Sequence, residues 1–170
     1  DGGALPDELL ARYAVLAWEL ERSRRVQGRF VVFGERECVG SHGVPEIDRQ
    51  GESAVGSMYS VVLHEAPPGA STVLLSGVSV EAWGPLALPA DLASVGGGEG
   101  CWLRTSGEVT RATVVGSAGS TAVSVSVPEE SALVGATVFH TWLVEDAAAP
   151  GNALGWTVSD AMAVIVGSDA

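Results

Sequence analysis

From Gly28 onward the chain is a series of short apolar runs, each cut off by Gly or Pro, and this punctuation confines it to β-structure. RFVVFG at 29–34 ends on Gly, and MYSVVLHEA at 58–66 runs into Pro67-Pro68-Gly69-Ala70. TVLLSGVSV at 72–80 is dense in β-branched side chains, whose stiff χ1 suits a pleated surface, and Gly77 inside it predicts a bulge. CWLRT at 101–105 follows the glycines at 96–98, and VTRATVVG occupies 109–116. TAVSVSV at 121–127 alternates most cleanly, with Val123, Val125 and Val127 on one face and Ala122, Ser124 and Ser126 on the other. ATVFHTWLVE at 136–145 and TVSDAMAVIVG at 157–167 complete the set. About eight short strands with no helical pattern between them predict an antiparallel β-sandwich over residues 28–170. A parallel α/β fold would need crossover helices, and no segment after residue 28 has their periodicity. Internal repetition at periods of 20–50 residues is also absent.

Residues 1–27 differ from everything that follows. DELLARYAVLAWELERSRR at 7–25 is rich in Ala, Leu, Glu and Arg, the strong helix formers. Asp7 after Pro6 fits an N-cap, and Glu8 places negative charge at the positive end of the dipole. Leu9, Tyr13, Leu16 and Leu20 recur at helical spacing, with Leu10, Ala14, Ala17 and Trp18 widening the stripe. The spacing predicts one N-terminal α-helix; the competing reading is a strand with Ala14, Leu16, Trp18 and Leu20 facing inward. A helix of this length is marginal alone in water, so Leu9, Tyr13, Leu16, Trp18 and Leu20 need a surface to cover them. That surface belongs either to the same sandwich or to a neighbouring copy, which would make these five residues an assembly interface.

The charge narrows the choice of partner. Twenty-one acidic residues face nine basic ones, all Arg, for a net charge of −12. Residues 38–170 hold three of the Arg against 14 acids. Such a surface repels nucleic acid and anionic lipid alike. An apolar fraction of 46% with a mean hydropathy of +0.28 describes a chain with a substantial core, and no apolar stretch approaches the ~18 residues that span a bilayer. The chain starts at Asp1 with no leader-like segment, the pattern of a processed exported protein or of a piece of a longer chain.

Chemical signatures are sparse. G-x-S-x-G, Walker and H-E-x-x-H patterns are all missing. His42, His64 and His140 are scattered; on the ATVFHTW strand His140 shares a face with Val138 and Trp142. Glu129-Glu130 and Glu145-Asp146 are adjacent acids without the spacing of a calcium loop, so neither cofactor nor metal is expected. Trp83, Trp102, Trp142 and Trp156 sit among apolar neighbours and read first as packing residues. Trp83 and Trp156, each beside a Gly, are the candidates for stacking on a ligand. Cys38 and Cys101 have no zinc-like spacing; they are either a disulfide of an exported protein or two buried thiols.

The stretch from about Glu37 to Gly167 resembles a β-sandwich module found near the C-terminus of secreted proteins of environmental bacteria. The resemblance is carried by Cys38 with Gly40-Ser41 and Gly43-Val44-Pro45, by Ala66-Pro67-Pro68-Gly69-Ala70, and by Leu86-Ala87-Leu88-Pro89-Ala90-Asp91-Leu92 leading to Cys101. Val127-Pro128-Glu129-Glu130 through Ala136, Trp142-Leu143-Val144-Glu145-Asp146 and Pro150-Gly151-Asn152-Ala153-Leu154-Gly155 follow in order. It implies a Cys38–Cys101 bond, an extracellular or cell-surface location and no catalytic activity. Where such modules carry Ser-Asn, this chain has Ser159-Asp160. With the unpartnered N-terminal stripe, the expected function is that of an extracellular structural protein, a subunit of a surface fibre or layer. Its partners would be copies of itself or other surface components. A module that recognises glycan or cell wall, and an appended sorting or spacer domain, are the alternatives.

Overall fold

The computed structural model describes residues 26–35 and 37–168. In chain order its strands are β1 (Arg29–Phe33), β2 (Glu46–Gly51), β3 (Met58–His64), β4 (Ser71–Gly77), β5 (Ala82–Trp83) and β6 (Leu86–Ala87). They continue with β7 (Ala90–Asp91), β8 (Trp102–Leu103), β9 (Val109–Val114), β10 (Thr121–Ser126), β11 (Thr137–Glu145) and β12 (Trp156–Ile165). Two 3₁₀ turns, at Leu92–Val95 and Ser131–Leu133, are the helical elements among the described residues. The expected N-terminal helix, with Leu9, Tyr13, Leu16, Trp18 and Leu20, lies outside the described residues.

The long strands form two antiparallel sheets, one of five strands in the order β1-β12-β11-β4-β9 and one of three in the order β10-β3-β2. The predicted sandwich is therefore present. Period-2 alternation decides which side chains meet between the sheets. Tyr59, Val61 and Leu63 of β3 and Val123 and Val125 of β10 face Leu74, Trp142, Val144, Met162 and Val164 of the larger sheet. Trp142, Leu63 and Leu74 are fully buried, and burying each such side chain contributes about 2 kcal/mol from its lost apolar surface.

The larger sheet is covered on its other face too. Between β4 and β9 the chain makes the short ladders β5–β6 and β7–β8, which lay Trp83, Leu88, Ala90, Leu92 and Leu103 over Val73, Leu75 and Leu143. Cys38 and Cys101 are bonded beside this cover, with Cα atoms 4.3 Å apart, and pack on Val158. The bond ties the cover to the chain entering β2. In the chain-entropy account, closing a loop between residues 63 apart in sequence contributes about 4 kcal/mol.

Two local expectations change. Gly77 makes no bulge: it ends β4, where a Cβ would run into the backbone carbonyl of Ser106, so the glycine is required by close approach. The irregularity lies across the sheet, where the β11–β12 register shifts between Thr141 and Leu143. Ser159 pins it, its Oγ accepting from the Trp142 N–H at 3.0 Å and donating to the Asp160 carbonyl at 2.7 Å. β2 is the second departure. EIDRQG has too little apolar character to read as a strand, yet it pairs with β3 along its whole length and buries only Ile47 deeply.

Candidate functional site

Three strands bring together a polar cluster that no sequence pattern announces. Ser76 on β4 and His140 on β11 are direct partners in the antiparallel ladder, and their side chains point between the sheets. Ser76 Oγ lies 2.8 Å from His140 Nδ1. From the opposite sheet, Tyr59 Oη reaches His140 Nε2 at 2.8 Å. Phe30 caps the cluster with an edge-to-face contact to Tyr59, centroids 5.4 Å apart, and the Arg49 guanidinium sits 4.5 Å over the Phe30 ring.

Burial sets the chemistry of this trio. His140 is 1% exposed and Tyr59 3%. Desolvation, with a smaller contribution from the Arg111 charge, pushes the imidazole down to about 4. Desolvation also pushes the Tyr59 phenol up to about 12, with Arg111 opposing it. At neutral pH both are uncharged, so one ring nitrogen donates and the other accepts. A Ser–His contact is the first half of an activated nucleophile, but an imidazole held near 4 is a poor proton acceptor at pH 7. A tyrosine, moreover, occupies the place of the orienting carboxylate. As built, the trio is a satisfied polar core that links the two sheets.

A small cleft lies elsewhere, at the disulfide. Glu37, Trp102, Arg104, Ser159 and Asp160 line it, and its space of about 10 Å³ is room for no more than about one water. The Glu37 carboxyl is raised above the usual carboxylate range, first by its hydrogen bond with Glu35 and then by repulsion from the same group; Arg104 opposes the shift.

The other residues singled out by sequence are dispersed. Trp83 is half-buried in the cover, its ring beside Leu75 at Gly107. Trp156 opens β12 opposite Glu145, whereas Leu75 pairs with Thr141 four positions back along β11. The two indoles therefore do not share one platform. Trp142, at the centre of the core, leaves its indole Nε1 without a partner. Glu129 and Glu130 are exposed, as is Glu145. Asp146 is 4% exposed and accepts the Ser41 N–H at 2.7 Å, holding the turn of Gly40 and Gly43 against the end of β11. Among the described residues, no group of three or more His, Cys, Asp or Glu is arranged to hold a metal. No described helix is long and apolar enough to cross a membrane.

No family model, curated protein or solved structure matches the chain. The resemblance to a secreted sandwich module is an expectation from sequence alone.

Proposed function

We propose that this chain is a non-catalytic, exported structural module that associates with copies of itself along one open sheet edge. The observation that carries the reading is the contrast between its four edge strands. β2 carries Glu46, Asp48 and Arg49, charges that blunt an edge. β9 and β10 are consecutive strands in opposite sheets, and Arg111 on β9 donates to the Ser124 carbonyl on β10 at 2.6 Å, which ties the two strands together and puts a charge in the middle of the β9 edge. Among the described residues β1 has neither device. RFVVF holds no Pro and no acid, its one charge stands at its first residue, and Val31 and Val32 are each about half exposed. An apolar five-residue edge of this kind offers unpaired N–H and C=O groups to another chain.

The disulfide supports export, because such bonds persist where the surroundings are oxidising. The neutral Ser76–His140–Tyr59 trio, with His140 and Tyr59 buried and Ser76 half-buried, supports a structural role, since its hydroxyls and imidazole are spent on one another. Sedimentation velocity across a hundredfold concentration range tests the reading. The expected result is a mass that rises with concentration for the native chain and stays monomeric for Val32→Lys, which puts a charge on the edge without disturbing a buried site. A native chain that remains monomeric throughout rules out the proposal.

A further inference from the structure

The direction of hydrogen bonding alternates along a strand, so the β11–β12 ladder fixes which residues of β1 turn their polar groups outward. Just past the Thr137–Ile165 pair, Val166 donates to the Ala136 carbonyl at 2.9 Å and accepts the Gly135 N–H at 2.8 Å. Val166 therefore faces the β11 side. Counting back along β12, Ile165, Ala163 and Ala161 turn their N–H and C=O groups to β1, where their direct partners are Arg29, Val31 and Phe33. Phe30 and Val32 direct theirs to the other side of β1, where no strand lies among the described residues. These outward residues flank Val31, the middle of the strand's 5 residues.

We propose that β1 pairs with β1 of a second copy, antiparallel and about a two-fold axis at Val31, an inference that rests on the edge association proposed above. In that register Phe30 lies opposite Val32 of the second copy, and Val32 opposite its Phe30. Each outward N–H then meets a carbonyl and each outward carbonyl an N–H, because the edge is complementary to itself. Charge favours the same arrangement. Arg29, the one charge on β1, falls opposite Phe33 of the second copy, so the two Arg29 stand about 13 Å apart, beyond the screening length of about 8 Å. Pairing β1 with β9 would instead seat Arg111 in the middle of the joint. It would also leave a free edge at each end, adding copy after copy of a chain that carries −12. The two-fold joint consumes its own edge. Two five-stranded sheets merge into one continuous sheet, and growth stops at the dimer. A joint of 5 residues a side is small, so the association is weak and covalent capture is the sensitive readout.

Cysteine substitution in the full chain tests the register. Val31 faces its own counterpart as a non-hydrogen-bonded pair, with Cα atoms about 4.5 Å apart, within reach of a disulfide. Val32 and its counterpart lie diagonally, about 7–8 Å apart, beyond such a bond. The two positions are 49% and 50% exposed, so both variants should fold and chance collision favours neither. Cys38 and Cys101 are bonded and buried, which keeps them out of the exchange. Under mild oxidation, non-reducing electrophoresis should show Val31→Cys forming a covalent dimer at least about tenfold faster than Val32→Cys. Sedimentation of the native chain should level off at twice the monomer mass. Equal cross-linking rates for the two variants overturn the two-fold register. A native mass that climbs past the dimer also overturns it, while leaving association through the edge standing. A native chain that stays monomeric at every concentration removes the association and this joint with it.

Discussion

His140 is where burial and titration meet most directly. Its imidazole is held near 4 in the fold and sits near 6.5 when the chain is unfolded. Above about pH 6.5 both states are neutral and His140 adds no pH dependence. Between 6.5 and 4 the unfolded imidazole binds a proton that the folded one refuses, so stability falls as pH falls. Below 4 both are charged and the loss stops. Across the window the expected loss is roughly 3 kcal/mol. Urea denaturation at pH 7.5 and 4.5 checks it: the native chain should lose more stability than His140→Gln, which cannot titrate. Equal losses would show that the carboxylates alone drive the acid response. Tyr59 works in the opposite sense, its stabilisation present below pH 10 and lost as pH rises through about 12. Gly77 belongs at this scale too. Gly77→Ala forces a methyl onto the Ser106 backbone, and thermal melting should register a cost of about 2 kcal/mol or more.

Among the elements, the cover over the larger sheet depends most on a single covalent bond. Its ladders are two residues per strand, too short to hold by backbone pairing alone. Reduction of Cys38–Cys101 should lower stability by about 4 kcal/mol. Hydrogen exchange should then rise first at β7 and β8, where Leu92 N–H bonds to the Cys101 carbonyl at 2.9 Å, while β11 and β12 stay protected by their neighbours on both sides. Uniform loss of protection would mean that the bond stabilises the sandwich as one unit.

At the scale of the whole molecule, charge and edge act against each other. A net charge of −12 keeps copies apart, and in the proposed assembly the apolar edge at β1 would draw them together. Screening weakens the first and leaves the second, so sedimentation in 0.5 M salt should show more association than in 0.02 M. The reverse order would mean that ion pairs, not strand pairing, join the copies.

The strands that read clearly in sequence were those whose two faces differ. TAVSVSV declared its inward valines because solvent lies on its other side. MYSVVLH, TVLLSG and the last two strands were visible as β-branched runs. EIDRQG was not, since a charged edge strand takes its order from β3 rather than from its own composition. The cysteine pair was one of two readings until the fold placed the two Cα atoms 4.3 Å apart. The Ser76–His140–Tyr59 trio was illegible: residues 64 and 81 positions apart meet only through cross-strand register and the packing of one sheet on another. Gly77 showed the same limit, since its sequence announced an irregularity but only the approach of Ser106 decided which kind. By itself, then, the sequence determined what is local: period, punctuation and the class of fold. Tertiary structure decided which strands lie at the sheet edges, which face the loops cover and which polar groups meet in the core, because each depends on contacts between residues that the chain's own order does not bring together.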